Sequence, residues 1–171
     1  WPGAHVRVRC NARTSGGAWV SGNVRVSGNA RAGGNAGVGG NAQVSGNARV
    51  SGSAWVNDNA RVSGNAWVGD NARVCGNAQV GGSAQVNDNA RVSGDARVTN
   101  NADYATIKGF GRGCRNTTFF RCKDGKIRVV CGCFFGDLYE FRDQVKKTHR
   151  EGKMAKEYLA IADLMEMHFC E

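Results

Sequence analysis

The sequence predicts a mainly β protein: a parallel β-helix of about five triangular coils, followed by a small α+β unit. Three observations carry this. A six-residue period, V-x-G-N-A-x, holds phase from Val8 to Asp103. The composition changes at Tyr104: lysine and glutamate are absent before it and frequent after it. Beyond that point the strand, hairpin and helix signals of ordinary globular sequence appear.

Each part of the hexad has a physical role. In Ala-x-Val-x, alternate residues share a face, as in a short strand, so Ala and Val point inward together. Gly-Asn follows. Both residues tolerate positive φ, so the pair is expected to turn a corner. One hexad is then one side and one corner, and three hexads close a coil. The array from Val8 to Asp103 makes sixteen hexads, about five coils. At ~4.8 Å per rung the rod is roughly 25 Å long. The weakest block is Thr14–Trp19, without a leading Val, and Ala32 replaces Val once. A flexible Gly/Asn-rich linker needs no regular Val and holds no phase. The expected organisation is a lead-in at 1–7, the array at 8–103 and a C-terminal unit at 104–171.

This pattern resembles the hexapeptide-repeat, left-handed parallel β-helix family, over the whole segment from Val8 to Asp103. Val44/Ala48, Val56/Ala60 and Val92/Ala96 show its aliphatic-then-small spacing. The left hand is implied by the resemblance alone. So is self-association, as a trimer or dimer, through the flat faces.

Residues 18 apart stack, which sorts the outward positions into columns. One reads Arg13, Arg31, Arg49, Trp67, Gln85, Asp103. The second reads Trp19, Gly37, Trp55, Arg73, Arg91. The third reads Arg25, Gln43, Arg61, Gln79, Arg97. Stacked arginines repel unless something accepts their charge. Tryptophan and arginine are enriched at interfaces. Candidate partner-binding residues are therefore Trp19, Trp55, Trp67, Arg73, Arg91, Arg25, Arg61 and Arg97, with the Trp19/Trp55/Arg73/Arg91 face first. The alternative is that Arg stems and Trp rings merely cover the sheets. At the corners, Asn11, Asn29, Asn47 and Asn65 stack, as do Asn23, Asn41, Asn59, Asn77 and Asp95. Such columns are expected to form amide ladders.

Composition limits the classes of function. The chain has 171 residues, 25 Gly and one Pro, so collagen is excluded. No apolar run reaches membrane-spanning length, and no leader is visible. The start at Trp1 suggests a processed, tagged or incomplete N-terminus. The net charge is +9. It makes an acidic protein face, a nucleotide or nucleic acid the expected partner class. Seven cysteines, an odd number, read as reduced thiols of a cytoplasmic protein.

In the C-terminal unit, Tyr104–Phe110, Thr117–Cys122 and Ile127–Cys131 read as strands, with a hairpin signal at Lys123-Asp124-Gly125-Lys126. Asp137-Leu138-Tyr139-Glu140 is a capping signature opening a helix to about His149. A second helix starts near Lys153, with Met154, Tyr158, Ile161, Met165 and Phe169 on one side. The expected topology is βββαα, acting at least as a cap for the solenoid. The segment Lys123-Asp124-Gly125…Cys131-Gly132-Cys133-Phe134…Thr148-His149 resembles the unit that follows V-x-G-N-A-x arrays in phage, prophage and gut-bacterial proteins. That resemblance implies phage-type origin, a bacterial host cytoplasm and this architecture, not a mechanism. Small phage-encoded proteins of this sort often antagonise a host defence or regulate a host machine, and that is the role expected here.

Specific chemistry finds weak support. Acyltransferases of the resembled family use a histidine base, but His5, His149 and His168 all lie outside the array. A divergent acyltransferase is the enzyme alternative, and a self-assembling rod the structural one. Cys122, Cys131, Cys133 and His168 or Cys170 are weak metal candidates. The stretch Gly109-Phe110-Gly111-Arg112-Gly113, with Lys108 and Arg115, is a weak anion nest without the P-loop ending. No cofactor is expected. The reading is a non-enzymatic binding or scaffold protein.

Overall fold

A computed structural model of the chain describes residues 5–111 and 115–170. Two compact units divide it, Trp1–Asn101 and Ala102–Glu171.

The first unit is a five-turn parallel β-solenoid. Among the described residues it has sixteen two-residue strands, from β1 (Arg7–Val8) to β16 (Arg97–Val98), one in each hexad. Each pairs in parallel with the strand three places on: Arg7 lies opposite Arg25, Arg13 opposite Arg31 and Trp19 opposite Gly37. The offset is always three hexads, so three sheets form, of six, five and five strands. A two-residue strand has no stability alone. Its backbone groups are satisfied by the next coil: Arg61 N–H donates to Ala78 O and Ser63 N–H to Val80 O, both at 2.9 Å.

The inward residues from Val24 to Val98 are all Val or Ala and essentially unexposed. Ala flanks the corner, where walls converge, and Val fills the middle of each side. The first coil is less covered, with Val8 46% exposed.

The Gly-Asn pairs turn the corners as expected, with one left-handed residue in each. The asparagine of Gly-Asn does not take positive φ; the residue before it does, and this is usually the glycine, as at Gly46 (φ 68°). A Cβ there would lie 3.0 Å from the backbone N and O of Gly64. Cys10 occupies the same position at φ 61°, and Asp58, Asp70 and Asp88 do so at 59°, 53° and 57°. Two of these aspartates bond the next coil: Asp58 Oδ2 accepts from Gly76 N–H at 3.0 Å, and Asp70 Oδ2 from Asp88 N–H at 3.2 Å. The asparagines are used instead for ladders. Asn11 Nδ2 donates to Asn29 Oδ1, Asn29 to Asn47 and Asn47 to Asn65, at 3.3, 3.1 and 3.0 Å. A second ladder runs Asn23, Asn41, Asn59, Asn77 and ends on Asp95 Oδ1. A carboxylate only accepts, so Asp95 fixes the direction of every amide beneath it.

The second unit holds an antiparallel sheet in the order β17 (Tyr104–Phe110), β18 (Arg115–Arg121), β19 (Ile127–Cys131) and β20 (Phe134–Asp137), then α1 (Leu138–His149) and α2 (Lys153–Phe169). The topology is ββββαα, one strand more than expected. Gly132 (φ 62°) makes a tight turn and sends Phe134–Asp137 back along β19. The capping box is present. Asp137 accepts from Glu140 N–H, and Glu140 accepts from Asp137 N–H.

Phe119 and Val129 of the sheet meet Phe141 and Val145 of α1 and Tyr158, Ile161, Met165 and Phe169 of α2 in one core. Phe141 lies edge-on to both Phe119 and Tyr158, with centroids 5.9 and 5.8 Å away. Arg142 joins the helices by donating to Asp163 and Glu166 at 2.8 and 2.6 Å. Met154, expected on the apolar stripe, is only half-buried.

Candidate functional site

The solenoid presents flat faces, so a site here is a pattern on a surface rather than a cleft. Register fixes the pattern. Trp19, Gly37, Trp55, Arg73 and Arg91 follow one another on successive coils of one sheet. Arg13, Arg31, Arg49, Trp67 and Gln85 do so on the second. Arg25, Gln43, Arg61, Gln79 and Arg97 do so on the third. Arg7 extends this third column one rung further back than the sequence columns placed it. Asp103 does not extend the second column. It closes a 3-10 turn (Asn101–Asp103) and lies 3.6 Å from Arg121.

The first face carries an aromatic pair. Trp19 and Trp55 are two rungs apart, yet their rings meet with centroids 5.4 Å apart at 32°. They meet because Gly37 lies between them. A Cβ on Gly37 would collide with Cε3 and Cζ3 of Trp55. The pair remains 54% and 39% exposed. The signal was in the sequence, as Trp, Gly, Trp at intervals of three hexads. On the next two coils follow the exposed Arg73 and Arg91. The Cys75 thiol sits beside these arginines. Burial pushes its pKa up, Asp58 adds to that, and Arg73 and Arg91 oppose it.

Trp67 behaves differently. Its ring lies over Gly69, where a Cβ would be 2.9 Å away, and its Nε1 donates to Ser51 Oγ at 2.8 Å. It is half-buried, and its one polar group is satisfied. It covers its own sheet and sits on a different face from Trp19 and Trp55.

The weaker candidates in the second unit are not brought together. Cys131 and Cys133, two of the metal candidates, do not share a strand. β19 ends at Cys131, which accepts from Thr117 Oγ1 at 3.2 Å, and the turn leaves Cys133 exposed. Cys122 is buried while Cys170 is exposed. Among the described residues, no three His, Cys, Asp or Glu gather as a metal site would require. Of the glycine-rich stretch, Lys108 is an exposed residue of β17, Arg115 opens β18, and Arg112 lies outside the described residues. Gly111 (φ 70°) is needed because Tyr158 lies against it and donates to Phe110 O at 3.2 Å.

A family model for the YdcK beta-solenoid repeat matches residues 18–34, 42–57 and 90–102. All three segments fall in the region of stacked coils. The chain is a β-solenoid repeat protein. No curated protein matches it. Among the described residues of this solenoid protein, no helix is long and apolar enough to cross a membrane.

Proposed function

We propose that the solenoid is a non-enzymatic binding scaffold, docking an acidic protein face through Trp19, Trp55, Arg73 and Arg91. The observation that carries this is the Trp19–Trp55 pair. Two large rings are held together over Gly37, yet left open to solvent. A side chain that merely covered its sheet would lie flat with its N–H satisfied, as Trp67 does. Arg73 and Arg91 supply positive charge one and two rungs from Trp55, and no acidic residue lies in that column. Aromatic anchors beside arginine are the composition of energetic centres at interfaces.

We also propose a cellular setting. The V-x-G-N-A-x array and its tail resemble phage and prophage proteins. We place the protein in the cytoplasm of a bacterial host, as a homo-oligomer that antagonises a defence or regulatory machine.

The test is light scattering on size-separated protein purified from bacterial cells, with its 260/280 nm absorbance ratio. A stoichiometric acidic protein, retained by the wild type and lost from Arg73→Glu/Arg91→Glu, supports the reading. A rod that retains none, or a measurable turnover of acetyl-CoA, overturns it.

A further inference from the structure

The solenoid is electrically lopsided along its axis. Before Asp58 the chain holds six arginines and no acid. From Asp58 to Asp103 it holds four arginines and five aspartates. The positive charge of the array therefore resides in its first three coils.

Within those coils the charge is also confined around the axis. Arg13, Arg31 and Arg49 occupy three successive rungs of one sheet, all exposed. Arg7 and Arg25 occupy successive rungs of the neighbouring sheet. The corner between these sheets holds Arg9 and the ladder Asn11, Asn29, Asn47. Each ladder amide uses one N–H on the next coil and keeps a second as an uncharged donor. The remaining face of the same coils carries Trp19, Gly37 and Trp55 and no charge.

Thus one edge of the prism has arginine on both flanks and amide donors along its crest. A hollow of about 310 Å³ lies beside that edge, lined by Arg7, Arg9, Arg25, Val26 and Ser27. Among the described residues, no ion pair engages any of the six arginines.

We infer that this edge binds a single nucleic-acid strand by its phosphates. Guanidinium groups at rung spacing repel one another until anions sit between them. A strand delivers such anions in a row, and its flexible backbone can follow a line of charges set by the sheets. Arginine pairs with phosphate through two parallel hydrogen bonds, which a point charge cannot do. The site uses none of Trp19, Trp55, Arg73 and Arg91, which lie on another face, so loss of either site leaves the other intact.

The experiment is fluorescence anisotropy of a labelled oligo-dT 20-mer with the full chain, at several salt concentrations from about 50 to 200 mM. Three variants lose equal charge: Arg13→Gln/Arg31→Gln/Arg49→Gln, Arg7→Gln/Arg9→Gln/Arg25→Gln, and Lys123→Gln/Lys146→Gln/Lys156→Gln in the second unit. Circular dichroism confirms that each is folded, and either arginine triple suffices if the other fails to fold. We expect each arginine triple to weaken binding at least tenfold and the lysine triple less than threefold. Each arginine triple should also flatten the log–log salt dependence by about 2, at ~0.7 for each phosphate no longer neutralised. Equal weakening by all three would reduce the effect to net charge and overturn the site. So would failure of the wild type to bind at the lowest salt, or binding of a duplex of the same length alone.

Discussion

Among the described residues of the solenoid, no fully buried side chain is larger than valine, and Val and Ala recur from coil to coil. In the C-terminal unit, aromatic and aliphatic side chains from two strands and two helices converge on Phe141. Burial is spread evenly in one region and centred in the other. An even core has no keystone, so its weak points are set by backbone geometry and by position in the stack. A centred core has one, so its weak point is a side chain. The chain carries its own reporters for this contrast. All four tryptophans precede residue 68, and all three tyrosines follow residue 103.

The largest expected effect is therefore on Phe141. Phe141→Ala should destabilise the C-terminal unit by about 3–5 kcal/mol, read from the tyrosine near-ultraviolet dichroism in urea. A loss below about 1 kcal/mol would mean that the core is not centred there. Backbone comes next. Gly46→Ala places a residue at φ 68° with its Cβ 3.0 Å from the next coil. Gly125→Ala places one at φ 77° with nothing within 4 Å. Left-handed strain alone is about 1–2 kcal/mol. The array glycine should cost more than the hairpin glycine, and equal costs would remove coil-to-coil packing as the reason for glycine there.

Third comes position in the stack. Val62→Ala, in a fully covered coil, should cost about 1.5 kcal/mol at ~0.8 kcal/mol per methylene, by tryptophan fluorescence. Val8→Ala, 46% exposed in the first coil, should cost less than half of that. The smallest effects pair one polar device from each unit. Asn47→Ala breaks a ladder in two places, and Asp137→Ala removes the capping box. Each should cost about 1 kcal/mol, the usual worth of a solvent-accessible hydrogen bond or cap. Asp137→Asn should recover most of the second.

How much could be read beforehand follows the same division. The array was legible because its long-range pairings are written as a period. Once three hexads make a coil, the partner of Arg31 is Arg49 by counting alone. Both Asn ladders were legible for the same reason. Counting did not reveal side-chain direction: Trp67, in a separate column, was as good a docking candidate as Trp19 and Trp55, but its ring turns onto Gly69. Nor did it show that only the first residue of Gly-Asn turns left-handed, because composition permits both. In the C-terminal unit, α1 was legible from its local cap, down to Asp137 and Glu140. β20 was not. Phe134 and Phe135 are its only apolar side chains, too short a run to mark a strand, and its place depends on pairing with Val130 and Cys131. The candidate site was half legible. Its columns could be counted, but the meeting of Trp19 and Trp55 over Gly37 required the backbone.

A coil made of three like hexads has an evolutionary consequence. Losing or gaining a whole coil shortens or lengthens the rod and leaves every face as it was. Losing or gaining a single hexad leaves the interior equally content, since one Val and one Ala replace another. The exterior is not spared: every column beyond the event advances by a third of a turn. Arg73 and Arg91 would then continue a different face, and the tryptophan pair would lose its arginines. Selection on stability cannot see such an event, whereas selection on binding sees it at once. A lineage of such rods can therefore shuffle its surfaces by small in-frame indels while its core stays the same.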